Sequence, residues 1–233
     1  MAGLIRLVEM HAGLFAHASG ALWIPGSRAA IVADAHLGYG WAQRRRGQLG
    51  PVSDHLSAPK LAALLGELNP RTLVFLGDVV HAPKPDPRER GAIEETLRNL
   101  TSRVEIVIVR GNHDRAFARD FGHLNLPVVE AWEAPGIVAR HGDKLNFPWA
   151  EGSHLLLGHL HPSLSIRDAA GASQRVPVFL FNDRVTLLPA FSPFAAGFNI
   201  TLGLPPEWKA LFEPEGARIV AVTGQRAMLI PRP

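Results

Sequence analysis

Residues 104–114 read Val104-Glu105-Ile106-Val107-Ile108-Val109-Arg110-Gly111-Asn112-His113-Asp114. A β-branched run, broken only by Glu105, ends at Val109 just before a glycine, and an amide, an imidazole and a carboxylate follow that glycine. The run predicts a strand buried on both faces, with its polar cluster just past the carboxyl end. The same arrangement occurs twice upstream. Ala29 to Ala33 runs into Asp34-Ala35-His36, and Leu73 to Leu76 runs into Gly77-Asp78. Helical stretches separate the runs. Pro59 to Leu68 opens with a proline suited to a first helical turn and carries a stripe of Leu61, Leu64, Leu65 and Leu68. Pro87 to Leu100 has acidic residues early and Ile93, Leu97 and Leu100 on one face. A third, short helix is expected after Asp114. Strand and helix in alternation predict a layered α/β core.

The flanks read as β structure. Residues 4 to 24 divide into short strands at Gly13, Gly20 and Gly26. Beyond residue 127, short strands are expected at Val128-Val129, Gly136 to Arg140, His154 to Leu157, Val176 to Phe181 and Val185 to Leu188. Arg218 to Ile230 can close a sheet edge. Two more polar clusters follow strands in this half: His141-Gly142 and Gly158-His159-Leu160-His161.

At 233 residues, 47% hydrophobic and 19% charged, the chain fits one domain, residues 1–233, with a substantial core. Its formal charge is +3, and arginine greatly outnumbers lysine. That balance suits a polyanionic partner and equally reflects arginine-rich composition. The absence of cysteine excludes disulfides, thiolate catalysis and zinc fingers. Met1 to Ala21 is apolar, but Glu9 and His11 interrupt it, so a first strand is the better reading than a signal peptide. No apolar run is long enough to span a bilayer. A cytoplasmic protein is expected.

The five polar clusters supply Asp34, His36, Asp78, Asn112, His141, His159 and His161. Each lies where α/β sheets bind ligands, at the carboxyl ends of strands. Carboxylate, imidazole and amide without thiolate suit Mn²⁺, Fe²⁺, Co²⁺ or Zn²⁺ better than Ca²⁺. The set is too large for one ion and right for two sharing a bridging carboxylate. Ions roughly 3.5–4 Å apart can clamp a phosphate and activate water for in-line attack. His113 is left over. Asp114 is expected to accept a hydrogen bond from its ring, orienting it and favouring its protonated form beside the phosphate. Singly, each cluster has a bland reading as a turn or a surface loop. Their joint order after apolar strands does not.

This pattern resembles the calcineurin-like metallophosphoesterase superfamily over residues 29 to 162. The resemblance implies a four-layer α/β sandwich, two central mixed sheets flanked by helices. It implies two divalent ions, with Mn²⁺ the first candidate. Asp34, His36 and His161 would hold one ion and Asn112, His141 and His159 the other, with Asp78 bridging. His113, oriented by Asp114, would be the catalytic histidine. Over nearly the whole chain the sequence also resembles the bacterial ligase-associated DNA damage response endonucleases. The shared features are Ala33-Asp34-Ala35-His36-Leu37-Gly38, Gly77-Asp78-Val79-Val80-His81, Gly158-His159-Leu160-His161-Pro162 and Leu188-Pro189-Ala190-Phe191. The usual first motif has leucine where Ala35 stands. That resemblance implies DNA as substrate, and a DNA ligase, a helicase and an exonuclease of one repair system as partners. A homo-oligomer is compatible with it.

Arg44, Arg45 and Arg46 are expected in a loop near His36, where guanidinium groups could grip phosphates beyond the scissile one. The plain alternative is a solvated turn. Trp41 could stack on a base or simply pack. His81, close behind Asp78, is a candidate substrate contact. His11, His17, His55, His123 and His154 lack a ligand-like context. Two rivals remain open at this level. One is an enzyme for small nucleotides or phosphoproteins. The other is a scaffold that keeps the fold without catalysis.

Overall fold

The computed structural model describes residues 5–47, 57–167, 171–195, 197–213 and 216–231. Its first half is an antiparallel meander that turns parallel. Strands β1 (Leu7–His11), β2 (Leu14–His17) and β3 (Leu22–Ile24) lead into β4 (Ala29–Ala33), β5 (Thr72–Leu76), β6 (Glu105–Val109) and β7 (Val128–Val129). The order β1-β2-β3-β4-β5-β6-β7 makes one seven-stranded sheet, parallel from β4 onward. Helices α1 (Tyr39–Arg45), α2 (Ser57–Leu68), α3 (Pro87–Thr101) and α4 (Phe117–Phe121) form the connections.

The second half builds a nine-stranded sheet. It comprises β8 (Trp132–Ala134), β9 (Ile137–Arg140), β10 (His154–Leu157), β11 (Pro162–Arg167), β12 (Ser173–Phe181), β13 (Val185–Leu187), β14 (Phe198–Asn199), β15 (Arg218–Val222) and β16 (Ala227–Ile230). Here β9, β10 and β13 are parallel neighbours. The last hairpin, β15–β16, pairs along β12, closing that edge as the sequence indicated.

Strand alternation explains why the runs are apolar throughout. Val32, Phe75, Ile106 and Ile108 face a helical layer of Leu61, Leu64, Ile93 and Leu97. Their neighbours Ile31, Ala33, Val74, Leu76 and Val109 face the other sheet and meet Leu156, Phe179 and Phe181. Both faces of each strand are therefore removed from water. The outer face of the second sheet packs on Trp208 and Phe212, from the short helix α5 (Pro206–Lys209) and the turn after it. The layers run helix, sheet, sheet, helix, and the last is thin.

Two seams tie the layers together. Phe191 N–H donates to Ala33 O (2.7 Å) and Ser192 N–H to Asp34 O (3.2 Å), so the segment after β13 crosses onto the end of β4. The second seam is electrostatic. Arg45 Nη1 meets the fully buried Glu89 at 2.8 Å and also donates to Lys84 O. Glu89 and Asp86 form the capping box of α3. Arg44 and Arg45 thus lie in the last turn of α1, and Arg46 caps it. The expected loop is a helix because Gly38, at φ +83°, starts a turn that packs directly onto Glu89.

Arg45→Ala leaves the Glu89 carboxylate buried without its guanidinium. Loss of a hydrogen bond to a charged group predicts destabilisation of about 1.5–3 kcal/mol. Urea unfolding followed by circular dichroism reads it, and an unchanged midpoint refutes the α1–α3 lock.

Candidate metal centre

Register brings the polar clusters level. Ala33, Leu76 and Val109 stand side by side in the first sheet, and Arg140 stands beside Leu157 in the second. Asp34 and His36 therefore leave β4, Asp78 leaves β5, and Asn112 and His113 leave β6 along one rim. His141 leaves β9, and His159 and His161 leave β10, to meet them. All seven candidate ligands and His113 converge.

The donor atoms form three groups among the described residues: one of imidazoles alone, His36, His81 and His113, and two that join histidine to carboxylate. Atoms of Asp34, His36 and His161 lie within 4.8 Å of one another, as do those of Asp78, His141 and His159. In the Asp34 group His161 Nε2 is 2.9 Å from Asp34 Oδ1. In the Asp78 group, His141 Nε2 is 3.1 Å from His159 Nδ1, 3.1 Å from Asn112 Oδ1 and 3.4 Å from Asp78 Oδ1. The other ring nitrogen, Nδ1 of His141, is 3.1 Å from the Leu76 carbonyl, to which it donates. Nε2 then presents a lone pair to two oxygens and another imidazole nitrogen. Such a crowd of electron-rich atoms is well suited to a cation among them. Without one a proton takes that role. Burial alone would lower the His141 pKa, yet the Asp78 hydrogen bond and the Asp34 charge carry it up to about 9. Burial would raise Asp78, but His141 and the His113 backbone N–H hold it well below the usual carboxylate range. His36, pushed down to about 4 chiefly by burial, is neutral and able to ligate. Its buried Nδ1 and Asp34 Oδ1 make no hydrogen bond. The residues fit a pair of divalent ions.

Backbone amides hold the carboxylates. His159 N–H donates to Asp34 Oδ2 and His113 N–H to Asp78 Oδ1, both at 2.9 Å. Each motif thereby aims a ligand of another. Five candidate ligands (Asp34, His36, Asp78, His159 and His161) take positive φ, among only eight non-glycine residues that do so in the described chain. That conformation is costly for a residue with a Cβ and clusters at functional sites. The motif glycines have a matching cause. A Cβ on Gly77 would fall inside the His141 ring, one on Gly111 would overlap Asp78 Oδ1, and one on Gly158 would sit 2.9 Å from Asp34 Oδ2.

Two sequence expectations are corrected. Asp114 does not orient the His113 ring. Its Oδ1 accepts from Val79 N–H (2.9 Å) and Val80 N–H, and its Oδ2 from Gly111 N–H (3.0 Å), clamping two motif loops together. Burial and then the Asp78 charge push its pKa up to about 6. The His113 ring is instead held by its Nδ1–H donating to His81 O at 2.9 Å, which leaves Nε2 3.9 Å from Asp78 Oδ2. Arg45, committed to Glu89, leaves the phosphate-gripping set. Arg46 lies close enough for its charge to lower the His81 pKa.

His81 is drawn fully into the site. Its ring lies 5.2 Å from that of His36, 5.9 Å from His113 and 4.6 Å from Tyr39. Tyr39 stacks on Phe194 in turn. Sequence gave no signal for either aromatic, since both lie outside the motifs. Trp41 is half-buried in α1. His11 stacks on His154, and His17 is buried beside Glu67, so these pack rather than ligate. His123 sits at the surface, 3.0 Å from Glu94. His55 lies outside the described residues. No helix among the described residues is long and apolar enough to cross a membrane.

Comparison with known proteins agrees with this geometry. The profile described as "Calcineurin-like phosphoesterase" matches residues 27–219. Among solved structures, the Pseudomonas putida nuclease MPE superposes with a TM-score of 0.72 at 26% identity, covering 96% of this chain and 98% of that one. The E. coli phosphoesterase Yfce aligns over 87% of this chain and 97% of its own, with a TM-score of 0.43 and 16% identity. No curated protein matches the sequence.

Gly77→Ala is expected to retain secondary structure but lose bound metal, measured by elemental analysis after reconstitution with Mn²⁺. Gly91→Ala is the control. It lies inside α3 with open space around it, so it should gain roughly 0.5–1 kcal/mol and keep its metal. Full metal occupancy in Gly77→Ala contradicts the packing argument.

Proposed function

This chain belongs to the calcineurin-like phosphoesterase family and hydrolyses phosphoester bonds, and we propose that its substrate is DNA, cut internally in the course of repair. The observation that carries the phosphodiesterase reading is the meeting of two histidine–carboxylate groups on one rim, with His113 beside them. The DNA reading is supported by likeness over nearly full length to a protein titled a nuclease. A positive formal charge accords with a polyanionic substrate.

In this proposal Asp34, His36 and His161 hold one divalent ion and Asn112, His141 and His159 the other, with Asp78 shared. Such a pair supplies Lewis acidity, lowering the pKa of water and neutralising charge on the phosphate. Mn²⁺ is the first candidate, and the mixed imidazole and carboxylate donors accept Fe²⁺, Co²⁺ or Zn²⁺ as well. The chain's own residues do the rest. The His81 carbonyl fixes the His113 tautomer and points Nε2 into the cleft. Protonated there, Nε2 donates to a phosphate oxygen or to the departing ester oxygen. Asp114 is a positioning residue. It holds the loops carrying Asp78 and His113 in register, which keeps a donor and a ligand on the same phosphate. His81, Arg44 and Arg46 are proposed to contact the substrate around that phosphate. Cytoplasmic location and action beside a ligase, a helicase and an exonuclease belong to the same reading.

Cleavage of single-stranded and gapped DNA with Mn²⁺ is the test. Wild type should cut, and EDTA or Asp78→Ala should abolish cutting without unfolding the chain. His113→Ala should slow turnover by about 10²–10⁴-fold, the usual worth of a general acid. Near-normal cutting by either variant refutes the site assignment. Cutting of small nucleotide diesters with no cutting of DNA moves the substrate to the small-molecule class.

A further inference from the structure

A cavity of about 690 Å³ opens beside the metal centre and shares His161 with it. Its size lies within the usual range for a small-molecule or cofactor site. It is walled by segments that the metal motifs do not include: the β1–β3 meander, the start of β12, the β15–β16 turn and the stretch after Phe191. Ser192, on its wall, is bonded through its backbone to Asp34, so the cavity is fixed to the site and not merely near it.

Two features of its lining point to an occupant. The first is Lys60, in the first turn of α2. Its ammonium donates to Phe191 O at 2.7 Å and lies 3.9 Å from the centre of the Phe191 ring. Burial alone pushes its pKa down to about 8, with no carboxylate offsetting that, so it still carries its proton at neutral pH. The ammonium is only partly withdrawn from water and is held by a carbonyl and a ring face, so an anion entering the cavity can still reach it. Arg175 adds a second cationic side chain, a guanidinium, to the lining, where it also donates to Gly197 O. The second feature is Phe194. It stacks on Tyr39 with centroids 5.4 Å apart and planes 10° apart, and Tyr39 in turn adjoins His81. A line of rings thus runs from the catalytic histidine into the cavity. With Pro162 and Val176 this provides an apolar wall against which a base can stack.

We infer that this cavity is a nucleotide subsite. It takes the nucleotide of the substrate strand adjoining the scissile phosphodiester, with that nucleotide's outer phosphate at Lys60 and its base against Phe194. The inference rests on the phosphodiesterase reading above. The chemistry it recognises is a nucleotide unit, whether that unit belongs to a long strand or to a dinucleotide.

The experiment compares kcat/KM on three substrates with Mn²⁺: a single-stranded oligodeoxynucleotide, a dinucleotide phosphorylated at both ends so that it carries the outer phosphate, and bis(p-nitrophenyl) phosphate, which has no nucleotide. Wild type, Lys60→Met and Phe194→Ala are measured, with folding checked by thermal melts. Each variant should lower the ratio of oligonucleotide to bis(p-nitrophenyl) phosphate kcat/KM by roughly tenfold or more, through KM, since one charged hydrogen bond or one stacked base is worth that much. The dinucleotide should lose as much as the oligonucleotide. A loss seen only with the longer strand overturns the adjoining placement. An unchanged ratio in folded variants overturns the subsite while leaving the phosphodiesterase reading intact. If wild type hydrolyses none of the three, that reading fails and the subsite with it. Should Lys60→Met not fold, Phe194→Ala decides alone.

Discussion

Electron-rich atoms do not gather spontaneously, and this structure gathers them at one point. Nε2 of His141 faces an imidazole nitrogen, an amide oxygen and a carboxylate oxygen, and His161 faces a second carboxylate. A bound ion, or in its place the proton on His141, relieves that crowding, and a rigid frame must hold the donors before a metal ion arrives. The surrounding architecture answers that need. Backbone amides of His113 and His159 take one oxygen of each candidate ligand carboxylate. Left-handed backbone at five candidate ligands turns their side chains back over the rim. Glycines at 77, 111 and 158 give up their side chains so that a ligand from another strand can occupy the space.

That strain persists because the layers beneath do not yield. Left-handed conformation costs of order 1–3 kcal/mol per residue. The cost is offset by strands whose carboxyl halves are packed, on helices from one face and on the opposing sheet from the other. The ends of β4, β5 and β6 cannot shift singly, since register couples each to its neighbour. The segment from Leu188 to Ser192 then couples β4 to the second sheet. The run Leu188-Pro189-Ala190-Phe191 is, in physical terms, the bolt between the two halves of the site.

Much of this was legible in the sequence, for a definite reason. Short apolar runs rich in β-branched residues and bounded by turn residues favour strands buried on both faces, which puts the polar residues after them at a sheet's carboxyl rim. The position of Ala29 to Ala33 and the convergence of the candidate ligands follow from that logic. What escaped the reading depended on partners remote in sequence. Asp114 sits next to His113, and adjacency suggested a pair. The free backbone N–H groups of Val79, Val80 and Gly111 compete for the same carboxylate, and they win because each donates along a buried, fixed direction. Arg45 reads as one of three equivalent arginines, yet helix geometry turns it toward Glu89. Strand β11 was missed because its first residue is proline and its outer half is polar and exposed. A prolyl start is admissible there because its neighbour on that side, β14, is only two residues long.

The division between what the motifs encode and what they do not has a consequence for specificity. The metal-binding rim reads a phosphate, and every member of a family that shares the rim reads the same group. Discrimination among phosphodiesters must therefore come from side chains that surround the rim without belonging to it. The set proposed for this chain is Arg46 at the end of α1, His81 behind Asp78, the Tyr39–Phe194 stack and Lys60. They arise from segments whose local sequence is unconstrained by metal geometry, so they can vary while the centre does not. Substrate choice is then carried by the helix after β4 and by the crossover after β13, the same two segments that brace the site.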